Sequence, residues 1–310
     1  MDQPVAHKSF LVPLDGSHLA EAVLPATASL ASSSHALVTL LHVIELRAPA
    51  TIHGERHLRN ATEASAYLES VASRLRAGGV TVECHVHEDG EYNVAQCIFE
   101  HTQELKCDLV IMCTHGNSGL RGLLFGSIAQ QILQRGASSI LLVFPHEGRS
   151  VMPFELQRIL VPLDGVVAHE PALPAAMELA GAFQATLHLA LVIPTLATLS
   201  GGQAVSGMLL PTTTRAVLDQ AQQEAREYLD QILIQCHSEG VSATAEILRG
   251  DAAPMVLRLA ERLNIDLIVM ASHGRAGLDA LLAGSVAARI AGRMERALLL
   301  MRAEPLEAQR

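Results

Sequence analysis

The sequence has no tryptophan, and aromatic residues make up only 3% of its 310 residues. Charged residues are also scarce at 17%, whereas hydrophobic residues reach 49%. A core built from this composition is aliphatic, as in buried parallel sheets that are flanked by helices. Because the chain is longer than one ordinary domain of about 100–200 residues, we expect two domains.

The sequence also lacks any block of lysine and arginine. Its 22 basic residues are outnumbered by 32 acidic ones, which gives a formal net charge of -10. This charge would repel nucleic-acid phosphates, so nucleic acid is excluded as a partner. No apolar run reaches the roughly 18 residues of a membrane span, and the first residues lack the pattern of a signal peptide. We therefore expect a soluble, cytoplasmic protein that does not bind membranes.

Cysteine is a third residue in short supply, and the five cysteines form no CxxC pair. A disulfide framework or a zinc knuckle is therefore excluded, and we expect small, buried cysteine side chains. Histidine is more frequent: His53 and His57, or His85 and His87, could each place two imidazoles on one face of an element. Because no carboxylate or cysteine completes either pair locally, no metal site is expected.

The chain contains an internal duplication. Residues 11–16 read LVPLDG, and the same six residues recur at 160–165, 149 residues later. A second block, CDLVIM at 107–112, matches IDLIVM at 265–270, and the offset is now 158 residues. The second copy has therefore gained a net nine residues between the two blocks.

Short aliphatic runs alternate with amphipathic stretches in each copy, which is the pattern of βαβ units and a parallel sheet. We predict two domains, 1–147 and 155–310, joined by a segment in which Pro, Gly and charged residues interrupt the apolar pattern. The first-half strands are predicted near 9–14, 36–43, 80–86, 108–113 and 139–144, and the helices near 19–33, 60–77, 92–105 and 127–135. The second-half strands are predicted near 158–163, 185–192, 242–248, 266–271 and 296–301.

Most of the extra length of the second copy falls in residues 194–214, PTLATLSGGQAVSGMLLPTTT. This Gly/Ser/Thr-rich segment has neither a helical nor a strand period, which predicts a mobile loop. It follows the second strand at the carboxyl edge of the sheet, where ligands bind in such folds. We therefore expect it to be a mobile cover beside the pocket of the second half.

The first candidate site in each half is the aspartate that closes strand one, Asp15 or Asp164, followed by glycine and the start of a helix. Ligands of doubly wound sheets lie outside the carboxyl ends of the strands, where a carboxylate can accept hydrogen bonds from ribose or adenine. An aspartate at this position can equally be an ordinary helix cap. Val43 and Val192, which end strand two of each half, are further candidates for the same ligand.

The second candidate site follows strand four of each half. A His-Gly pair, nine residues and a Gly-Ser pair recur in both copies, and the Gly-Ser pair precedes a helix. Glycine allows the backbone to approach a ligand, and amide N–H groups at a helix start can bind phosphate oxygens. The alternative is a tight turn followed by an ordinary serine cap. The candidate residues are His115, Gly116, Gly126 and Ser127 in the first half, and Ala271, His273, Gly274, Arg275, Gly284 and Ser285 in the second.

The strand-end LVPLDG, then DLVIMCTHG or DLIVMASHG, then nine residues and Gly-Ser, resembles the universal stress protein family (UspA-like, tandem type) over almost all of both halves. The resemblance implies an α/β fold: two tandem doubly wound sheets of five parallel strands in the order 3-2-1-4-5, with helices on both faces. It also implies pairing of two such domains. In nucleotide-binding members of the family, a Gly-x2-Gly-x9-Gly-Ser/Thr loop holds the triphosphate of ATP.

The match to that loop has departures. Cys113 and Ala271 stand where its first glycine belongs, and the cysteine sulfur could crowd a ribose. Asn117 replaces the arginine that Arg275 retains. The second half is therefore the better candidate for ATP, with or without bound Mg²⁺.

Three functions are compatible with the sequence. The favoured one is a non-enzymatic universal stress response protein that binds ATP in at least one half. The alternative is a scaffold for protein contacts with vestigial pockets. The third, an ATP-using enzyme, needs catalytic groups that the sequence does not offer: His115 and His273 have no adjacent nucleophile or carboxylate, and there is no Walker lysine. At most, slow and incidental ATP hydrolysis is expected.

The last strand of each half is apolar and would be an exposed sheet edge in an isolated domain. We therefore expect the two halves to pair as an internal pseudo-dimer, and a homodimer is a further possibility.

Overall fold

The chain divides into two compact units, Met1–Glu155 and Leu156–Arg310, in a computed structural model. The structure describes residues 8–45, 51–88, 93–114, 127–135, 138–145, 154–165, 171–199, 201–272, 286–294 and 296–302. Each unit is an α/β domain with one parallel sheet, which confirms the predicted fold class.

The first half contains a five-stranded parallel sheet in which the order is β5-β2-β1-β6-β7. Numbered within this sheet alone, the order is 3-2-1-4-5. A separate antiparallel hairpin, β3–β4, precedes α2. The elements are β1 Ser9–Pro13, α1 Leu24–Ser34, β2 Leu37–Val43, β3 Thr51–Ile52, β4 Glu55–Arg56, α2 Ala61–Ala77, β5 Thr81–His87, α3 Val94–Glu104, β6 Leu109–Cys113, α4 Ser127–Arg135 and β7 Ser139–Val143.

The second half repeats the parallel sheet with the order β10-β9-β8-β11-β12. Its elements are β8 Arg158–Leu163, α5 Ala172–Phe183, β9 Thr186–Ile193, α6 Gly201–Leu209, α7 Pro211–Ser238, β10 Ala243–Arg249, α8 Ala252–Arg262, β11 Leu267–Ser272, α9 Val286–Ala291 and β12 Ala297–Arg302. Every strand predicted for the two sheets is therefore present, within one or two residues of the expected bounds.

The central strands are buried on both sides, as the aliphatic composition predicts. Leu11, Val38 and Val110 in the first half have no exposed surface, and the same holds for Leu160 and Ile268 in the second. A parallel sheet with both faces covered by helices reads as continuous Val/Ile/Leu runs rather than alternating ones.

The cysteines only partly follow the prediction that they are buried. Cys97, Cys107 and Cys236 are buried, but Cys84 is exposed and Cys113 is half-buried. Cys84 lies on β5, which pairs with β2 alone among the described strands. Its thiol donates to Oε2 of Glu69 across 3.6 Å, so it is at the surface beside α2 rather than in the core.

The first predicted helix was too long at its start. Residues 20–23 form a short 3-10 turn, and the α-helix begins only at Leu24, with Pro25 in its first turn. Proline has no N–H to donate and is therefore favoured at the start of a helix and costly inside it. The break thus follows from a residue that the periodicity alone did not weigh.

The prediction of an irregular loop over residues 194–214 was wrong. A short 3-10 turn is followed by α6 and by the start of α7, whose first residue is Pro211. Gly207 explains how α6 can pack here, because an added Cβ would lie 3.0 Å from the Leu199 side chain. Gly207 therefore allows close packing, and this tertiary contact outweighs its low helical propensity.

The duplication extends to backbone conformation. His35 and Gln184 follow α1 and α5 with φ of 52° and 53°, and Lys106 and Asn264 follow α3 and α8 with φ of 48° and 49°. A left-handed residue commonly ends a helix, usually as glycine or asparagine, because a Cβ is strained there. Lysine therefore stores more strain at this position than the asparagine of the other half.

We expect Lys106→Gly to raise the free energy of unfolding by about 0.5–1 kcal/mol, since glycine removes this strain at a modest entropic cost. Asn264→Gly is the matched control and should change stability by less than about 0.5 kcal/mol, because asparagine tolerates the left-handed region. Urea denaturation of both variants measures the difference. A lower stability of Lys106→Gly would show that the lysine makes compensating contacts.

Candidate functional site

Each sheet places a carboxylate at the carboxyl end of its central strand. Asp15 follows β1, which lies between β2 and β6, and Asp164 follows β8, which lies between β9 and β11. From β1 the chain continues outward through β2 on one side and through β6 on the other, and β8 stands in the same way between β9 and β11, so strand order reverses at these two strands and a crevice opens there. The next residue is glycine in both halves, with φ of 90° at Gly16 and 74° at Gly165, so the chain turns in a conformation that other residues rarely adopt.

The first half has a cavity of about 110 Å³ at this strand end. Asp15 and Val43, both predicted site residues, line it. Oδ1 of Asp15 accepts hydrogen bonds from the backbone N–H (2.9 Å) and the hydroxyl (2.6 Å) of Ser17. Its Oδ2 lies 3.6 Å from Nε2 of His53. The carboxylate is therefore engaged by the protein itself, much as a helix cap would be.

Three histidines also line the first cavity: His42, His53 and His57. His42 is buried and its Nδ1 lies 2.7 Å from the carbonyl oxygen of Leu14, whereas its Nε2 has no hydrogen-bond partner among the described residues. Burial lowers the pKa of His42, and the nearby His57 adds to this effect. Nε2 of His57 in turn lies 3.6 Å from a carboxylate oxygen of Glu45. Burial and the neighbouring imidazole thus both favour the neutral form of His42.

Sequence analysis did not predict these histidines as pocket residues. His53 and His57 were considered as a pair on one face of an element, but His53 lies in the turn between β3 and β4, and His57 follows β4. The two-residue strands of this hairpin carry little periodicity, so no sequence signal identified it. The hairpin brings both imidazoles to the strand end.

Cys113 also lines the first cavity, at the position where the family loop has its first glycine. Burial raises the pKa of its thiol to about 12, and the charge of Asp15 acts in the same direction. The side chain is therefore a neutral thiol that occupies space beside the candidate carboxylate. That the sulfur crowds a ribose at the first site stays a prediction.

The second half has a much larger cavity of about 1000 Å³ at the equivalent strand end. Asp164 and Val192, two predicted site residues, line it together with Leu191 and Ile193 of β9. Helices α6 and α7 provide another wall, and α6 with the first residues of α7 falls in the segment that sequence analysis expected to be a loop. From these helices the cavity receives Ser206, Thr213, Thr214, Glu224 and Tyr228.

The remaining predicted residues fall into two groups. Ala271 is buried in β11 and does not contribute to the described cavity lining, and Ser127 begins α4. The other residues of the two phosphate-loop motifs lie outside the described part of the chain: His115, Gly116 and Gly126, and His273, Gly274, Arg275, Gly284 and Ser285.

A separate cluster of imidazoles lies on the first half. The candidate ligand nitrogens of His85, His87 and His101 all lie within 4.8 Å of one another. Burial lowers the pKa of His85, and His101 and His87 lower it further, while Glu104 opposes them. Sequence analysis expected no metal site here because no carboxylate or cysteine completes the pair His85 and His87 locally. The third imidazole comes instead from a distant position in the sequence, because His101 lies on α3.

No helix within the described residues is long and apolar enough to cross a membrane.

Comparison with known proteins gives consistent matches in both halves. A model of the universal stress protein family matches residues 7–143 and again residues 155–302. Universal stress protein A homolog 1 of Coxiella burnetii is 35% identical over 128 residues, which covers 41% of this chain and 83% of that protein. Universal stress protein YxiE of Bacillus subtilis is 27% identical over 145 residues, which covers 43% of this chain and 96% of that protein.

Solved structures share the fold over nearly the full chain. A functionally unknown protein from Pseudomonas aeruginosa has a TM-score of 0.69 at 21% identity, covering 96% of this chain and 92% of that one. A universal stress protein from Archaeoglobus fulgidus has a TM-score of 0.67 at 18% identity, covering 95% of this chain and 96% of that one. Because the family model accounts for both halves in turn, the chain belongs to the universal stress protein family as a tandem two-domain member.

Proposed function

We propose that this universal stress protein binds an adenine nucleotide, ATP, in the cavity of its second half and acts as a regulatory protein rather than an enzyme. The observation that carries the proposal is the cavity of about 1000 Å³ with Asp164 at its edge. Pockets for ligands of this size span about 300–1,000 Å³ and combine apolar walls with a few polar groups.

The walls of this cavity suit a nucleoside. Leu191, Val192 and Ile193 offer an apolar surface against which an adenine ring can pack, and Leu218 and Ala225 of α7 contribute more of it. The Asp164 carboxylate is a strong acceptor for ribose hydroxyl groups. The residues that follow β11, from His273 to Ser285, are assigned to the triphosphate by their sequence pattern alone.

The non-enzymatic part of the proposal rests on the groups that are present. The described lining of the second cavity has two carboxylates, Asp164 and Glu224, and no lysine or arginine. Rapid phosphoryl transfer depends on cations that stabilise the developing charge. The described residues therefore favour holding a nucleotide over hydrolysing it.

The first half supports the scaffold alternative instead. Its cavity of about 110 Å³ is well below the usual size of a nucleotide pocket. Asp15 is already bonded to Ser17, and Cys113 occupies part of the wall. We propose that this half binds ATP weakly or not at all and contributes through protein contacts.

Asp164→Asn should weaken ATP binding by about 10-fold to 100-fold, because a hydrogen bond to a charged group is worth about 1.5–3 kcal/mol. The matched control, Asp15→Asn, removes the equivalent carboxylate from the first half and should leave the affinity within about 2-fold. Isothermal titration calorimetry on the full chain measures both stoichiometry and affinity. If the unmodified protein binds no ATP at millimolar concentration, the scaffold function applies to both halves.

Filling the cavity tests the site without touching a charged group. Ala221→Phe places a ring in the cavity from α7 and should abolish measurable ATP binding while the fold is kept. Ala216→Phe is the control on the same helix, at an exposed position outside the lining. Equal ATP affinity of the two variants would contradict a nucleotide site at this position.

We propose that residues 194–214, which include α6, act as a mobile cover of the second cavity. We expect the amides of α6 to exchange hydrogen more slowly when ATP is bound, because the ligand would add contacts to Ser206 and to the residues around Leu210. Amides of α2 in the first half serve as the internal reference and should not change. Hydrogen exchange followed by mass spectrometry makes the comparison, and unchanged exchange in α6 at saturating ATP would exclude a cover.

A further inference from the structure

The first half carries three histidines at one place that lies outside its strand-end cavity. His85 and His87 belong to β5 and point to the same side of the sheet, since residues two apart in a strand share a face. His101 belongs to α3. The ring centroids of His85 and His101 are 4.7 Å apart, and those of His87 and His101 are 5.1 Å apart. The cavity lining includes Val94 and Ile98 of α3 but none of these three imidazoles.

The buried member of the cluster is held in a defined orientation. His101 is 6% exposed, and its Nδ1 lies 2.9 Å from the carbonyl oxygen of Cys97, one helical turn earlier. Because a carbonyl can only accept, Nδ1 carries the proton and Nε2 keeps its lone pair. Histidines that bind metals are commonly oriented in this way, by donating the other ring N–H to a backbone carbonyl.

The second histidine, His87, has a buried ring nitrogen without a hydrogen-bond partner among the described residues. This atom is Nε2. Buried polar side-chain atoms nearly always have a partner, so an exception calls for an unseen one. A metal ion shared with the two neighbouring imidazoles would satisfy this nitrogen.

The internal duplication provides a comparison within the same chain. His85 pairs with Leu41 of β2 in the first sheet. In the second sheet the residue equivalent to Leu41 is Ala190 of β9, which pairs with Glu246, so Glu246 is the equivalent of His85. By the same registers His87 corresponds to Leu248, and the position of His101 in α3 corresponds to Leu259 in α8. Leucine therefore fills the position of His101 in the second half, where it is buried. Packing alone does not require an imidazole there.

The charged residues next to the cluster also differ from those at the equivalent positions of the second half. In the second half, Glu246 forms an ion pair with Arg262 of α8. The equivalent positions of the first half hold His85 and Glu104, and the Glu104 charge acts on His85. In the second half the two side chains at these positions therefore bind each other. The first half presents imidazoles beside a carboxylate, a donor set that suits a divalent cation.

We propose that His85, His87 and His101 bind a divalent transition-metal ion of the zinc type, with a water molecule in the fourth position. Three protein ligands and one open position are a known arrangement for Zn²⁺, at a metal–nitrogen distance of about 2.0–2.1 Å. Tetrahedral coordination at that distance places the nitrogens about 3.3 Å apart. The present separations of up to 4.8 Å close through rotation of the exposed His85 and the half-buried His87. Mg²⁺ prefers oxygen ligands and is not expected here.

The test is a calorimetric titration of the full chain, stripped of metal and free of nucleotide, with Zn²⁺. We expect the unmodified protein to bind one more equivalent of Zn²⁺ than either His101→Leu or His85→Gln, or to bind that equivalent at least about tenfold more tightly. His101→Leu introduces the residue that the second half uses, and His85→Gln changes an exposed side chain. A parallel titration with Mg²⁺ should give no heat that depends on either substitution.

His188→Thr is the matched control, because it removes a half-buried strand imidazole outside the cluster and introduces the Thr39 of the equivalent first-half position. Its Zn²⁺ binding should equal that of the unmodified protein. Circular dichroism reports folding of each variant, and if His101→Leu fails to fold, His85→Gln decides. The proposal is overturned if the unmodified protein binds no Zn²⁺ up to millimolar concentration, or if His85→Gln binds it as the unmodified protein does.

Discussion

Burial of the parallel sheets on both faces is the constraint on which the rest of this protein depends. Helices cover the strands on either side, so side chains such as Leu11 and Leu160 are enclosed and cannot meet a ligand. The candidate sites among the described residues lie at the carboxyl ends of the strands and at the sheet margin. The strand-end carboxylates Asp15 and Asp164 occupy the first of these places, and the three histidines around β5 occupy the second.

The duplication gave one fold twice, and the two copies have diverged where that fold leaves freedom. The carboxylate of the first half is engaged by Ser17 and faced by His53, beside a small cavity. The second copy has gained α6 and a longer α7, which form a wall of a cavity about nine times as large. The copies therefore differ in the loops and helices around the strand ends, whereas the strands themselves are conserved in position. A division of roles between nucleotide binding and metal binding is compatible with this asymmetry.

The two proposed sites lie in different halves of the chain. Asp164 and the histidine cluster belong to different units, and each proposed site is built from elements of its own half. A failure of Zn²⁺ binding would leave the nucleotide proposal unaffected, and the reverse holds as well.

Cys84 on β5 is exposed, whereas the sequence predicted a buried side chain. The reason is that an edge strand has helices over its face but solvent at its margin.

The sequence by itself determined the α/β fold, the duplication, the strands within one or two residues and the family, because aliphatic runs and Asp-Gly strand ends are local signals. It also placed four residues at the strand ends, where they line the two cavities: Asp15, Val43, Asp164 and Val192. Strand ends can be predicted because they follow from a local pattern. Only the tertiary structure decided that residues 201–209 are helical, where packing around Gly207 outweighs glycine's low propensity. It alone brought His101 to His85 and His87, because contact between residues 14 and 16 positions apart, on a helix and on a strand, depends on how both elements pack.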